Sequence, residues 1–277
     1  DTVLSKPDTG DRPEETGNGS GRVGGKEWHW AGSVSQPTMT LYRPKGKDTG
    51  TTLLVLPGGG FTVVAMDLEG TEICDWAVGR GMTCVVLKYR APQQWPMDEA
   101  KGRRRRPETL LALQDAQRAM GLLRQRASDY GINPNRIGVI GFSAGAYLAA
   151  NMSNIDERSY QAVDAADGQS SRPDFAIIAY TGRLWDTSNA KTDLSLAPWV
   201  KISAKAPPTL LIHSMQDPMN DVRHPMAYAL ALSEAGVPVD LRIYAKGGHA
   251  FGMRRTDEPI TTQWPGQVEQ WLSTIGM

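Results

Sequence analysis

The chain of 277 residues has only two cysteines, no net charge and no long apolar run. Each of these scarcities excludes something. Two thiols, Cys74 and Cys84, are too few for a disulfide framework or a zinc cluster. One falls in an expected helix and the other in an expected strand. They read as two partly buried thiols, with a single disulfide as the lesser reading. Lysine plus arginine equals aspartate plus glutamate, at 30 each. That balance gives no electrostatic reason to expect nucleic acid or an anionic membrane as partner. No stretch approaches the roughly 18–20 apolar residues that a membrane span needs. No His/Asp cluster has metal-ligand spacing, so no metal or other cofactor is implied.

Hydrophobic residues are 40% of the chain. That is ample for one large α/β domain with one core. Residues 1–25 are rich in Gly, Asp, Glu, Thr and Ser, too poor in apolar groups to bury much. The reading is therefore a flexible polar segment at 1–25 and a folded domain at 26–277. A polar leader of this kind often follows a removed export signal, which points to a secreted or periplasmic protein.

Seven short apolar runs read as strands: 38–42, 52–56, 83–87, 137–140, 175–179, 209–213 and 239–244. Continuous apolar runs, rather than alternation, suit strands covered on both faces, hence a parallel sheet. Helical spacing fills the gaps at 69–79, 107–130, 143–153, 221–235 and 263–275. Strand alternating with helix predicts βαβ units, a mostly parallel central sheet with helices on both faces. The stretch 93–106, with four consecutive arginines, reads as an inserted, solvated loop.

One short stretch carries chemistry. The run Ile137–Ile140 meets Gly141, Phe142, Ser143, Ala144 and Gly145, and a helix begins. G-x-S-x-G between strand and helix makes a sharp turn that lifts the serine hydroxyl above the sheet, where ligands of α/β folds collect. A serine hydroxyl needs a base. Of four histidines, His249 lies in the glycine-rich "KGGHAFG" after the last strand, so it can reach over the sheet edge. His29 reads as a surface or strand residue and His213 as a core histidine. His224 falls inside a helix. The base in turn needs a carboxylate to fix its tautomer. "HSMQDPMND" offers Asp217 in a loop and Asp221 at a helix start, where capping is the plainer role; Asp217 is preferred. The order Ser143, Asp217, His249 is the α/β-hydrolase order. "LPGGGF" follows a strand about 85 residues upstream of the serine. Its side-chain-free amides suit an oxyanion hole. A phosphate loop is the weaker reading, because the lysine and spacing of that motif are missing.

The blocks "LPGGGF…DLEG", "GMTCVVLKYRAP", "LQDAQRAMGLL…GVIGFSAGAYLAA", "RPDFAIIAY", "PPTLLIHSMQDP" and "YAKGGHAFGM" together resemble α/β-hydrolase esterases related to acetylxylan esterases and feruloyl-esterase-like proteins. The resemblance covers residue 30 to the C-terminus. It implies Ser143 as nucleophile, Asp217 as acid and His249 as base, with Gly59, Gly60 and Ala144 supplying oxyanion amides. Glu69-Gly70 and Tyr89-Arg90 also match, as supporting residues. Two positions depart. Pro57 stands where hormone-sensitive-lipase-like esterases carry His, and Ala146-Tyr147 where relatives often carry Gly-His; Tyr147 bears on pocket shape. The expectation is a serine carboxylic-ester hydrolase working through an acyl-enzyme, removing acetyl groups from xylan or its oligosaccharides. A general short-chain carboxylesterase, a feruloyl esterase, a serine peptidase and an inactive carbohydrate-binding member of the fold are the rivals. Trp95, Trp185, Trp199 and Trp264 are candidates for stacking on sugars.

Overall fold

The computed structural model of the protein describes residues 13–92 and 111–277, and the backbone of two short strands between them, at 97–98 and 103–104. In chain order the strands are β1 (Glu15–Asn18), β2 (His29–Gly32), β3 (Thr38–Tyr42), β4 (Thr52–Leu56), β5 (Val63–Ala65), β6 (Thr83–Lys88), β7 (Met97–Asp98), β8 (Arg103–Arg104), β9 (Ile137–Phe142), β10 (Ala176–Ala179), β11 (Thr209–Ser214) and β12 (Val239–Tyr244). The α-helices are α1 (Glu72–Gly79), α2 (Leu111–Gln125), α3 (Ala127–Tyr130), α4 (Ala144–Asn154), α5 (Arg223–Glu234) and α6 (Pro259–Thr274). Apart from β7 and β8, the expected 93–106 loop and the start of the 107–130 helix lie outside the described residues.

All seven strands expected from the apolar runs join one sheet, in the order β12-β11-β10-β9-β4-β6-β3. Only β3 runs antiparallel, at one edge against β6. Side chains alternate across the sheet, and both faces are covered. Leu54 and Leu56 of β4 face one core with α2, α4 and α5, while Leu53 and Val55 face the other with α1 and α6. This is the α/β architecture the sequence predicts, with helices on both faces.

Two expectations need correction. Cys74 of α1 and Cys84 of β6 are joined in a disulfide, with Cα atoms 5.3 Å apart. Packing α1 onto the sheet brings the two buried positions face to face, which spacing along the chain cannot reveal. Nor does the folded unit start at residue 26. Glu15–Asn18 pair antiparallel with His29–Gly32, which pair in turn with β5. Two bonds fasten this polar segment: the Trp30 indole Nε1 donates to Asn18 O at 2.9 Å, and the Gly19 amide donates to the backbone carbonyl of Trp28.

Candidate active site

β9 ends at the turn that carries Ser143. The serine backbone takes φ 52°, ψ −112°, in a region that side-chain-bearing residues occupy only under constraint. The constraint is visible. The Ser143 amide donates to Ala179 O of β10, and Ser143 O accepts from Ala146 and Tyr147 in the first turn of α4. Gly145 has no alternative residue, since a Cβ there would stand 1.9 Å from Leu56 O. The glycines flanking the serine thus let α4 approach β4 closely enough to fix the turn.

The loops after β11 and β12 deliver the partners. His249 Nε2 lies 3.0 Å from Ser143 Oγ, and His249 Nδ1 lies 2.7 Å from Asp217 Oδ2. A carboxylate can only accept, so Nδ1 carries the proton and Nε2 faces the serine as an acceptor. Asp217 Oδ1 accepts the amides of Met219 and Asn220 at 2.8 and 2.9 Å, which holds the carboxylate at its station. Its side chain is fully buried. Asp221 lies apart from this line; it accepts the Arg223 amide at the start of α5 and pairs with that guanidinium.

The other histidines do different work. His213 is fully buried and its Nε2 hydrogen-bonds Asn220 O at 2.9 Å. His224 Nδ1 accepts the amides of Leu184 and Trp185, and burial pushes this imidazole down to about 4. His29 is exposed and holds Asp67.

The "LPGGGF" loop faces the serine from β4. Gly59 adopts φ 122°, and a Cβ there would collide with Val63 O at 2.2 Å. Among the described residues no acceptor takes the amides of Gly59, Gly60 or Ala144. Ala144 opens α4, so its amide also sits at the positive end of that helix. The loop is held from behind. Gly58 N donates to Glu69 Oε2 at 2.7 Å, Tyr180 hydroxyl donates to Glu69 Oε1 at 2.7 Å, and Tyr89 hydroxyl donates to Pro57 O at 2.6 Å. Burial pushes the Glu69 carboxyl up, against these hydrogen bonds. Tyr180 also meets the His249 ring edge-on, with centroids 5.0 Å apart. Arg90 forms a buried ion pair with Asp115 at 2.7 Å, away from the serine.

A cavity of about 570 Å³ opens over Ser143, within the usual range for small-molecule sites. Its wall includes three residues of the N-terminal stretch, Ser20, Val23 and Trp28, and also Tyr147, Arg183 and Met219. The sequence reading missed Trp28 and Arg183 as pocket residues. No spacing announces a residue brought in by a separate hairpin or by a strained loop. Of the tryptophans considered for sugar stacking, Trp264 and Trp185 are buried in the core, Trp199 is 53% exposed, and Trp95 lies outside the described residues.

A parallel sheet with a serine on the β9–α4 turn, a histidine after β12 and a carboxylate after β11 has the architecture of the α/β hydrolases. The chain belongs to the prolyl oligopeptidase family, whose model matches residues 112–272, and to the BD-FAE family, whose model matches residues 39–182. It is similar to an acetylxylan esterase of Xylanibacter ruminicola, with 26% identity over 77% of this chain and 43% of that protein. It is also similar to an ethyl acetate hydrolase of Pseudomonas putida, with 26% identity over 77% of this chain and 70% of that one. The chain spans 34–51% of the length of the first three curated relatives it matches. Among solved structures it resembles an acetyl ester-xyloside bifunctional hydrolase from Caldicellulosiruptor lactoaceticus, with TM-score 0.69, 29% identity, and coverage of 87% of this chain and 88% of that one. It shares its fold with esterase 2 of Thermogutta terrifontis, at TM-score 0.71 and 19% identity over 98% of this chain and 96% of the other.

Proposed function

We infer that the protein is a serine carboxylic-ester hydrolase acting through an acyl-enzyme, with acetyl groups on xylan or xylo-oligosaccharides as its substrate. The observation that carries the reading is the unbroken line from Asp217 through His249 to Ser143, at 2.7 and 3.0 Å, beside three amides with no acceptor among the described residues. Ser143 Oγ attacks the ester carbonyl as its proton passes to His249 Nε2. Asp217 stabilises the imidazolium, and the amides of Gly59, Gly60 and Ala144 receive the oxyanion. Collapse expels the alcohol, which takes the proton from His249 and leaves Ser143 acylated. Water then attacks, with His249 again as base, and releases the acid.

The acetyl and xylan parts of the reading draw support from the acetylxylan esterase and the acetyl ester-xyloside hydrolase to which the chain is similar. A general short-chain carboxylesterase is the second reading, favoured by the ethyl acetate hydrolase relative. A secreted or periplasmic location is proposed with it, because the Cys74–Cys84 disulfide suits an oxidising compartment.

The test is acetate release from acetylated xylan beside hydrolysis of 4-nitrophenyl acetate and octanoate, with Ser143→Ala as control. Release that depends on Ser143 supports the carbohydrate-esterase reading. Cleavage of the small ester alone leaves the short-chain esterase. Full activity in Ser143→Ala, or no labelling of Ser143 by a fluorophosphonate probe, overturns the serine mechanism.

A further inference from the structure

Arg183 forms part of the pocket wall in a conformation that needs explaining. Its backbone lies in the left-handed region, φ 64°, three residues after Tyr180 at φ 40°. Neither is a residue type that favours this region. The side chain packs against two rings: the guanidinium carbon sits 5.1 Å from the centroid of Tyr147 and 5.7 Å from that of Trp199. Trp199 secures the arrangement by donating its indole N–H to Arg183 O at 3.1 Å. Ring contacts of this kind fix a guanidinium without using its N–H donors.

Among the described residues Arg183 has no ion pair and its buried Nε has no hydrogen-bond partner. The two carboxylates nearest the serine are already engaged: Asp217 by His249 and two amides, Glu69 by Gly58 and Tyr180. Arg183 is the one arginine or lysine among the described lining residues. A guanidinium fixed by ring contacts and with no ion pair among the described residues is preorganised for a planar, two-oxygen acceptor. The Tyr147 departure from the family pattern acquires a use here, as one of the two rings that hold it.

We propose that Arg183 is a specificity-determining residue that selects esters carrying a carboxylate, such as acetylated sugars bearing an acidic group or half-esters of dicarboxylic acids. This rests on the ester-hydrolase reading above. The carboxylate sits on the substrate's alcohol side or on its acyl side, and matched pairs separate the two.

On the alcohol side, 4-acetoxybenzoate is compared with 4-acetoxybenzamide. On the acyl side, the 4-nitrophenyl monoester of adipic acid is compared with 4-nitrophenyl hexanoate. Wild-type protein is expected to favour the charged member of one pair at least tenfold in kcat/KM, with the difference in KM and weakened by salt. Arg183→Gln is expected to bring that ratio close to one, and Arg183→Lys to restore part of it. The pair that shows the effect reports which side carries the carboxylate. Equal ratios in wild type and Arg183→Gln, or no preference in either pair, overturn the proposal. Calorimetric binding of 4-acetamidobenzoate against 4-acetamidobenzamide is the arm that needs no turnover. Tighter binding of the carboxylate that is lost in Arg183→Gln upholds Arg183 as an anion site even if no ester is cleaved, and equal binding removes it.

Discussion

Glu69 accepts the Gly58 amide at 2.7 Å from inside the protein, with its other oxygen on the Tyr180 hydroxyl. One buried carboxyl thus holds the base of the glycine loop and a ring that packs against His249. Glu69→Ala frees both, and each bears on groups that act when charge develops. The expected loss is in kcat, roughly 10- to 100-fold, with KM little changed; that is smaller than deleting an oxyanion donor outright. Steady-state kinetics on a nitrophenyl ester, with circular dichroism to check folding, decide it. Unchanged kcat would mean that the loop is held without Glu69.

Asp217 and Asp221 stand four positions apart, and the structure gives them different surroundings. Asp217→Asn replaces a pure acceptor opposite His249 Nδ1 with a group able to donate, which favours the wrong tautomer. A fall in kcat of roughly a thousand- to ten-thousand-fold is expected. Asp221→Asn keeps a capping oxygen for the Arg223 amide and should stay within about threefold of wild type. Comparable losses in the two variants would refute the assignment.

The Cys74–Cys84 bond closes a loop with a sequence separation of 10. Restricting an unfolded chain by such a loop is worth about 3 kcal/mol. Replacing both cysteines by alanine should lower the melting temperature by roughly 5–10 °C. The bond lies between α1 and β6, away from Ser143, so kcat at 25 °C should hold. Scanning calorimetry with and without reductant measures the first effect, and an identical melting temperature under both conditions would remove the bond from the account.

His224 gives a stability dependence on pH whose sign follows from burial. Its folded value lies near 4, below the ordinary 6.5. The unfolded chain therefore binds the extra proton first as pH falls. Stability is full above 6.5 and declines between 6.5 and about 4, by up to about 3 kcal/mol for this group alone. His224→Gln keeps an acceptor for the Leu184 and Trp185 amides without titrating. Its unfolding free energy, from denaturant melts at pH 7, 5.5 and 4.5, should fall less steeply than that of wild type. Parallel slopes would place the acid sensitivity elsewhere.

The sheet was legible because its strands are buried on both faces: Leu53–Leu56 and Ile137–Ile140 need apolar residues at every position. The serine turn was legible for the same kind of reason. Gly141 and Gly145 are dictated by atoms within van der Waals distance of their backbones, so the motif is a steric record of α4 lying on β4. Where hydrophobicity does not specify the partner, the sequence was mute. Ser20, Val23 and Trp28 reach the cavity from a hairpin whose strands β1 and β2 carry little apolar signal. The disulfide depends on how α1 lies on β6. Arg183 owes its place to left-handed backbone and to rings from distant segments, neither of which has a local signature.

Arg254 binds these levels together. It is 6% exposed, donates to the carbonyls of Lys26 and Glu27, and pairs with Asp67 and Glu72, five residues after His249. The hairpin that walls the cavity and the loop that brings in the histidine are therefore anchored on one guanidinium. The hairpin belongs to a separate three-stranded sheet, outside the central one. A hairpin that failed to offer Arg254 its two carbonyls would loosen the histidine's loop along with the cavity wall. The shape of the cavity wall is thereby tied to the seat of the histidine.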